Sequence, residues 1–236
     1  MIPNRQRQQT QATRRFMAGI SVKTWVDEQG KSTSPSLSEA ARLLLSFAVL
    51  RPQDSITKHY ESAGLSAGKG RRALEELLTR GYVKPHKIAR RGRGGQVTLV
   101  EALNSSNGLL VELGIKRPKR VLKGGWLHDV CGRCLGDWAR AHGYRHWHEK
   151  TLGAKTYDFV HEENGDLIAW EVWLSGSARL AAEAALKGLQ NEGIQELRMV
   201  CRDVKAEKTL EQAVAEIDGL GFYRDKMKTY LILDIA

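Results

Sequence analysis

The 236-residue sequence predicts two domains, an α+β domain followed by an α/β domain. Hydrophobic residues make up 42% of the chain, which is enough for two cores. The order of amphipathic segments changes from three helices and two strands to helices alternating with strands. Charge changes with it, because residues 1–124 contain 23 Lys and Arg against 9 Asp and Glu, a net +14, and the remainder carries −4.

The basic front half predicts a polyanionic partner. Each phosphate that Lys or Arg neutralises releases counterions and adds affinity, so DNA is the expected partner and an anionic membrane is the weaker alternative. No stretch of 18 apolar residues and no secretory signal is visible, and three cysteines fit a reducing compartment. We therefore expect a cytoplasmic protein with no membrane partner, associated with the nucleoid if the source is bacterial.

Residues 1–35 mix Gln, Arg, Ser and Thr with few apolar positions, which predicts a flexible basic arm. Three helices follow. Ser36 or Ser38 caps the first, residues 56–63 form a short second helix, and Ser66 caps the third, SAGKGRRALEELLTRG. Two strands, YVKPHKI and QVTLVEAL, then flank the glycine-rich basic tip ARRGRGG.

This order of elements over residues 36–103 resembles a winged helix-turn-helix DNA-binding domain. The resemblance implies that the third helix enters the major groove and that the hairpin tip, the wing, contacts phosphate or the minor groove. The implied DNA-binding residues are Lys69, Arg71 and Arg72 on the helix and Arg90, Arg91 and Arg93 on the wing. Winged helices also serve as protein-docking modules, but the charge of the wing favours DNA.

Residues 104–124 are predicted to be a basic linker. Five positive charges lie in this segment before Gly124-Gly125. They are Lys116, Arg117, Lys119, Arg120 and Lys123.

Residues 125–236 form the predicted α/β domain. A helix over residues 126–142 precedes three strands, YRHWHEKTL, TYDFVHE and LIAWEVWL, with Asn164-Gly165 as the hairpin turn between the last two. Helix SARLAAEAALKGLQ, strand ELRMVCR, helix KAEKTLEQAVAEIDGLG and strand YLILDI complete the order.

Two acids in this domain are predicted to lie on neighbouring strands. Asp158 is thirteen residues before Glu171, and the short turn between the strands brings their carboxylates together. Paired hard oxygen ligands suit Mg²⁺ or Mn²⁺, which polarises a phosphodiester and activates water.

This pattern resembles the PD-(D/E)xK superfamily of nucleases, which has the restriction-endonuclease-like fold and includes Holliday-junction resolvases. The resemblance covers about residues 125–235 and implies a mixed sheet flanked by helices. It places the first acid at Asp158 and the second at Glu171, and it implies an additional acid at Asp129 or Glu149. The lysine of the motif is replaced by Trp173.

The missing lysine limits the prediction of activity, because that residue orients the attacking water and stabilises developing negative charge. Lys187, on the following helix, is the candidate replacement, although its spacing also fits a solvated salt-bridged helix face. Lys155 has odd parity relative to Asp158 and is expected to face the other way unless it precedes the strand.

His128, Cys131 and Cys134, which are spaced i, i+3, i+6, would bind zinc if a fourth ligand such as His146 or His148 approached. This spacing spreads the three side chains around a helix, so buried thiols are the favoured interpretation.

Two hypotheses about function result. The sequence favours a DNA-binding regulator or adaptor whose nuclease-like domain is degenerate and needs no cofactor. That domain would instead mediate homodimerisation or bind a partner protein. The alternative is an active endonuclease in which Asp158 and Glu171 bind Mg²⁺ or Mn²⁺.

Overall fold

The computed structural model describes residues 37–89, 95–191, 193–219 and 221–235, which form two compact units. Unit 1 contains the described residues up to Pro85 together with Val100–Pro118. Unit 2 contains the described residues of His86–Leu99 and those from Lys119 onward. The predicted arm, residues 1–35, and the wing residues Arg90, Arg91 and Arg93 lie outside the described ranges.

Unit 1 contains the helices in the predicted order. They are α1 (Glu39–Leu50), α2 (Ile56–Ser62) and α3 (Ala67–Thr79), and α4 (Asn107–Glu112) follows the strands. Each of the first three begins at a serine whose hydroxyl accepts a backbone N–H of the first turn: Ser38, Ser55 and Ser66. Such caps satisfy helix N–H groups that have no partner within the helix.

The two strands after α3 are shared between the units. Strands β1 (Val83–Ala89) and β2 (Gln96–Ala102) form a two-stranded sheet. Val83 and Val100 pack with the helices of unit 1, whereas Ile88 and Leu99 belong to a cluster in unit 2. The hairpin thus contributes to both cores.

Part of the predicted linker is folded into unit 1. Residues 104–112 form a turn and α4, and Leu110 is buried in the core. The Arg117 guanidinium donates hydrogen bonds to the carbonyl oxygens of Ala102 at 2.8 Å and Leu103 at 2.6 Å. Arg117 therefore holds backbone of its own unit.

Helices α2 and α3 meet at a glycine. A Cβ placed on Gly70 would lie 2.4 Å from Cδ1 of Tyr60, whereas a Cβ on Gly68 has nothing within 4 Å. Only a residue without a side chain allows α3 to approach Tyr60 this closely. The helix tolerates the weak helix former at position 70 for this reason.

We expect Gly70→Ala to lower the free energy of unfolding by about 1–3 kcal/mol, because the clash with Tyr60 outweighs the gain in helix propensity. Gly68→Ala is the matched control and should raise it by up to about 1 kcal/mol. Urea denaturation of both variants measures the difference. Equal effects of the two substitutions would contradict the packing argument.

Unit 2 is built on a five-stranded mixed sheet. Its strands, in spatial order, are β3 (Arg145–Leu152), β4 (Lys155–Glu163), β5 (Asp166–Trp173), β6 (Glu196–Cys201) and β7 (Met227–Leu231). The first three are antiparallel, and β5, β6 and β7 are parallel. The predicted turn is present, with φ of 56° at Asn164 and 91° at Gly165, as Asn-Gly hairpins require.

Helices cover both faces of this sheet. Helix α5 (Trp126–Ala141) packs on one face with Phe159, Trp170 and Val172. Helices α6 (Ala178–Leu189) and α7 (Val204–Asp218) pack on the other with Tyr157, Val160 and Ala169. The unit therefore has three layers, which accounts for strands that are apolar on both sides.

Candidate active site

The candidate site lies where β4 and β5 separate. Phe159 pairs with Trp170 at the end of their ladder, and Asp158 and Glu171 are the next residues on the two strands. The Asp158 carboxylate replaces the ladder there, since Oδ2 accepts the backbone N–H of Val172 at 2.8 Å. The structure thus brings the two predicted acids together across neighbouring strands.

An irregularity in β3 and β4 shapes this position. His148 pairs with Phe159 and Lys150 with Tyr157, and Glu149 between them has a φ of 49°. Tyr157 and Phe159 pack on opposite faces of the sheet, although regular alternation puts residues two apart on one face. Alternation therefore changes at Asp158, although the pairing register is the same on both sides of it.

The irregularity overturns the expectation for Lys155. Its Nζ lies 3.0 Å from Oε1 of Glu171 and also donates a hydrogen bond to the carbonyl oxygen of Ala184 at 2.8 Å. The parity argument that turned Lys155 away was wrong, because the strand between Lys155 and Asp158 does not alternate regularly. Lys187, the lysine chosen from the sequence, is exposed on α6.

The surroundings of Glu171 disfavour the charged form of its carboxyl group. Burial raises the pKa of its carboxyl to about 7, Lys155 opposes this rise, and the charge of Asp158 adds to it. Oε1 of Glu171 is buried and accepts no hydrogen bond from the described residues, so its contact with Lys155 is an ion pair by proximity. Two adjacent carboxylates with an unsatisfied oxygen leave a surplus of negative charge.

His128 is the third side chain of the cluster. Its Nε2 lies 3.1 Å from Oδ2 of Asp158. This hydrogen bond raises the pKa of the imidazole, burial opposes the rise, and the charges of Asp158, Glu171 and Glu149 support it. His128 faces Asp158, while Cys131 and Cys134 are buried in the core.

The remaining predicted acids have other contacts. Asp129 is buried, and its oxygens accept the backbone N–H of Val121 at 2.6 Å and Nε of Arg133 at 2.9 Å. Glu149 accepts the backbone N–H of Lys123 at 2.6 Å. Glu149 thus lies beside the cluster and acts on His128 electrostatically, whereas Asp129 fixes the segment before α5.

The residues present fit a divalent cation through two carboxylates. Asp158 and Glu171 supply hard oxygen donors and a surplus of negative charge. Within the described ranges, no group of three or more His, Cys, Asp and Glu side chains is arranged to hold a metal. Any metal would therefore complete its coordination with water and substrate, as Mg²⁺ commonly does.

The predicted DNA-contact residues of α3 are open to solvent. Lys69, Arg71 and Arg72 are exposed, whereas Ala73 and Leu77 of the same helix are buried. The helix thus presents three cations to solvent.

Sequence reasoning missed Lys155 and the partner of His128. The first depends on a backbone irregularity that no residue pattern marks, since Glu149 is not a usual residue for positive φ. The contact between His128 and Asp158 depends on how α5 packs over the sheet, which the sequence does not show. In the structure β4 begins at Lys155, one residue before the strand TYDFVHE that the sequence predicts.

A comparison with solved structures gives a distant likeness. A zinc-responsive MarR family member, ZitR of Lactococcus lactis, is similar with a TM-score of 0.30 and 16% identity, over 46% of this chain and 71% of that chain. No conclusion about this chain follows at that distance. No family model matches the chain, and no curated protein matches it. No helix in the described part of the chain is long and apolar enough to cross a membrane.

The raised pKa of Glu171 predicts how stability depends on pH without metal. The folded state holds its proton up to about pH 7, whereas the usual carboxyl pKa is 4.5. The folded state binds more protons between these values, so stability should fall as pH rises from 4.5 through 7, by up to about 3 kcal/mol. Urea denaturation at pH 5 and pH 8 in EDTA measures this fall.

Glu171→Gln should remove that part of the pH dependence, because the amide does not ionise. Glu183→Gln, at an exposed position on α6, is the control and should retain the wild-type dependence. Identical pH profiles for wild type and Glu171→Gln would show that Glu171 titrates normally.

Proposed function

We propose that this protein binds DNA through unit 1 and hydrolyses phosphodiester bonds at the Asp158–Glu171 site of unit 2. One observation carries the proposal: Nζ of Lys155 lies 3.0 Å from Glu171. The ammonium group supplies the cation that the sequence lacks at Trp173. Two acids and a lysine are the chemical set that the nuclease resemblance requires.

Asp158 and Glu171 would hold Mg²⁺ or Mn²⁺. Glu149 would be an additional acid beside them. When bound, the cation polarises the phosphodiester and lowers the pKa of water. Glu171 would bind it as the carboxylate, and its raised pKa means that protons compete with the metal below neutral pH.

Lys155 would stabilise negative charge that develops on the phosphate. Its position is fixed by Glu171 and by the carbonyl of Ala184, so little reorganisation is needed. His128 would orient Asp158 through the 3.1 Å contact with Oδ2. The Val172 N–H holds the same carboxylate from the side of β5.

Unit 1 would supply the affinity for DNA. Lys69, Arg71 and Arg72 are exposed on α3, the helix that packs against Tyr60 of α2 through Gly70. Arg90, Arg91 and Arg93 would add phosphate contacts from the wing. Exposed cations of this kind give affinity that decreases with salt.

A second function is favoured by a different observation. Lys155 is engaged by a backbone carbonyl as well as by Glu171, and this arrangement is also that of a purely structural ion pair. In that case the protein would be a DNA-binding regulator or adaptor, and unit 2 would serve dimerisation or a partner protein. Measurement of cleavage separates the two functions.

Purified protein should nick supercoiled plasmid in Mg²⁺ or Mn²⁺. Lys155→Gln should lower the rate about 10²–10³-fold, because one charge-stabilising group is lost. Asp158→Asn and Glu171→Gln should abolish nicking. Asparagine is chosen because its amide oxygen still accepts the Val172 N–H.

Lys205→Gln, an exposed position on α7, controls for loss of one positive charge and should keep the wild-type rate. Loss of activity in Lys187→Gln and not in Lys155→Gln would assign the charge-stabilising role to Lys187 on α6. Nicking that persists in all site variants would identify a contaminant, and its absence from wild type in both metals would favour the regulator.

Affinity for duplex DNA should depend on α3. Replacing Arg71 and Arg72 by Ala should weaken binding about tenfold near 0.1 M salt and reduce the slope of log affinity against log salt by about 2. Arg51→Ala with Lys116→Ala removes the same charge from exposed positions of unit 1 and is the control. Equal losses in both pairs would mean that total charge alone governs binding.

A further inference from the structure

Residues 119–123, sequence KRVLK, form an anchored basic segment at the start of unit 2, here named the basic strap. The apolar residues of the strap face inward, since Leu122 is 2% exposed and Val121 packs against the core cluster of α5. Lys119, Arg120 and Lys123 are exposed. The strap therefore separates its residues into a buried side and a cationic side.

Buried contacts fix the backbone of the strap. Asp129 accepts the N–H of Val121, and Arg133 bridges Asp129 to the carbonyl oxygen of Lys119. Gly132 allows Leu122 to approach α5, because a Cβ there would lie 2.6 Å from Cγ of Leu122. A partly buried charge pair, a glycine and a leucine thus hold five residues that have no helix or strand of their own.

The strap ends at the candidate site. Glu149 accepts the N–H of Lys123 at 2.6 Å, and its other oxygen lies 3.4 Å from Nζ of Lys123. The next residue, Gly124, lies against His128, since a Cβ on it would be 3.4 Å from Cβ of His128. His128 in turn contacts Asp158.

We propose that the basic strap is a nucleic-acid backbone clamp, in which Lys119, Arg120 and Lys123 bind phosphates beside the one held at the site. This inference rests on the proposed function, because it assigns the strap to that site's substrate. The acidic cluster alone repels a polyanion, and the strap supplies positive charge at a fixed position. The Lys123 side chain is 90% exposed, so its ion pair with Glu149 is weak and exchangeable for phosphate.

The test is DNA binding by the full chain in EDTA, where cleavage does not occur. The probe is a labelled 20-base-pair duplex, titrated at several salt concentrations. Replacing Lys119, Arg120 and Lys123 by Gln should weaken binding at least tenfold near 0.1 M salt. The same variant should reduce the slope of log affinity against log salt by about 2 to 3, because each lost phosphate contact removes about 0.9.

A second triple variant removes equal charge elsewhere in unit 2. Lys205, Lys208 and Lys226 are exposed on α7 and the turn after it, and their replacement by Gln should change the slope by less than about 1. Both triples should also be measured with Arg71→Ala and Arg72→Ala, so that affinity from α3 does not mask the strap. Thermal melts verify that each variant is folded.

Equal losses in the two triple variants, or no loss in either, would overturn the clamp. Failure of the proposed function would be seen separately, as wild-type protein that binds the duplex but does not nick plasmid in Mg²⁺ or Mn²⁺. A clamp that persists in such a protein would still be a nucleic-acid contact of unit 2.

Discussion

The hydrogen bond from the Val172 N–H to the Asp158 carboxylate is the interaction on which the candidate site depends. A backbone N–H at the end of a ladder must find an acceptor, and here a side chain replaces the neighbouring strand. The same oxygen contacts His128 on α5. The Asp158 carboxylate therefore fixes both the place where β4 and β5 separate and the position of His128 on α5.

The charges around this carboxylate constrain each other. Asp158, Glu171 and Glu149 are opposed by Lys155 and His128, and burial is strong enough to bring the pKa of Glu171 to about 7. A carboxyl in that condition changes its charge near neutral pH in response to small changes in its surroundings. A bound cation favours the charged form, whereas loss of Lys155 favours the neutral one. The lysine thus acts on the acid as well as on any phosphate.

Much of the fold could be predicted from the sequence because local signals agree with the tertiary structure. Serine caps mark the helices, Asn164-Gly165 marks the hairpin, and apolar runs mark strands that are covered on both faces. Asp158 and Glu171 could be paired because a short antiparallel hairpin fixes which residues face each other. These predictions needed only the spacing of apolar residues along the chain and the residue preferences of caps and turns.

The rest depended on contacts between distant residues. The turn of Lys155 toward Glu171 follows from a backbone irregularity at Glu149 and Asp158, which alternation cannot express. The glycine at position 70 looks like a weakness in a helix until Tyr60 is placed against it. Asp129 has the residue type of a ligand, but its neighbours Val121 and Arg133 make it an anchor.

The anchoring role of Asp129 links the two kinds of charge in unit 2. Residues 125–236 carry a net −4, so a polyanion approaching the site meets repulsion unless cations lie at the approach. Flexible lysines lose conformational entropy when they bind phosphate, and an anchored backbone reduces the part of that loss that comes from the main chain. A partly buried Asp–Arg pair contributes little net stability by itself. The function of the Asp129–Arg133 pair is therefore to hold the strap beside His128 and Glu149.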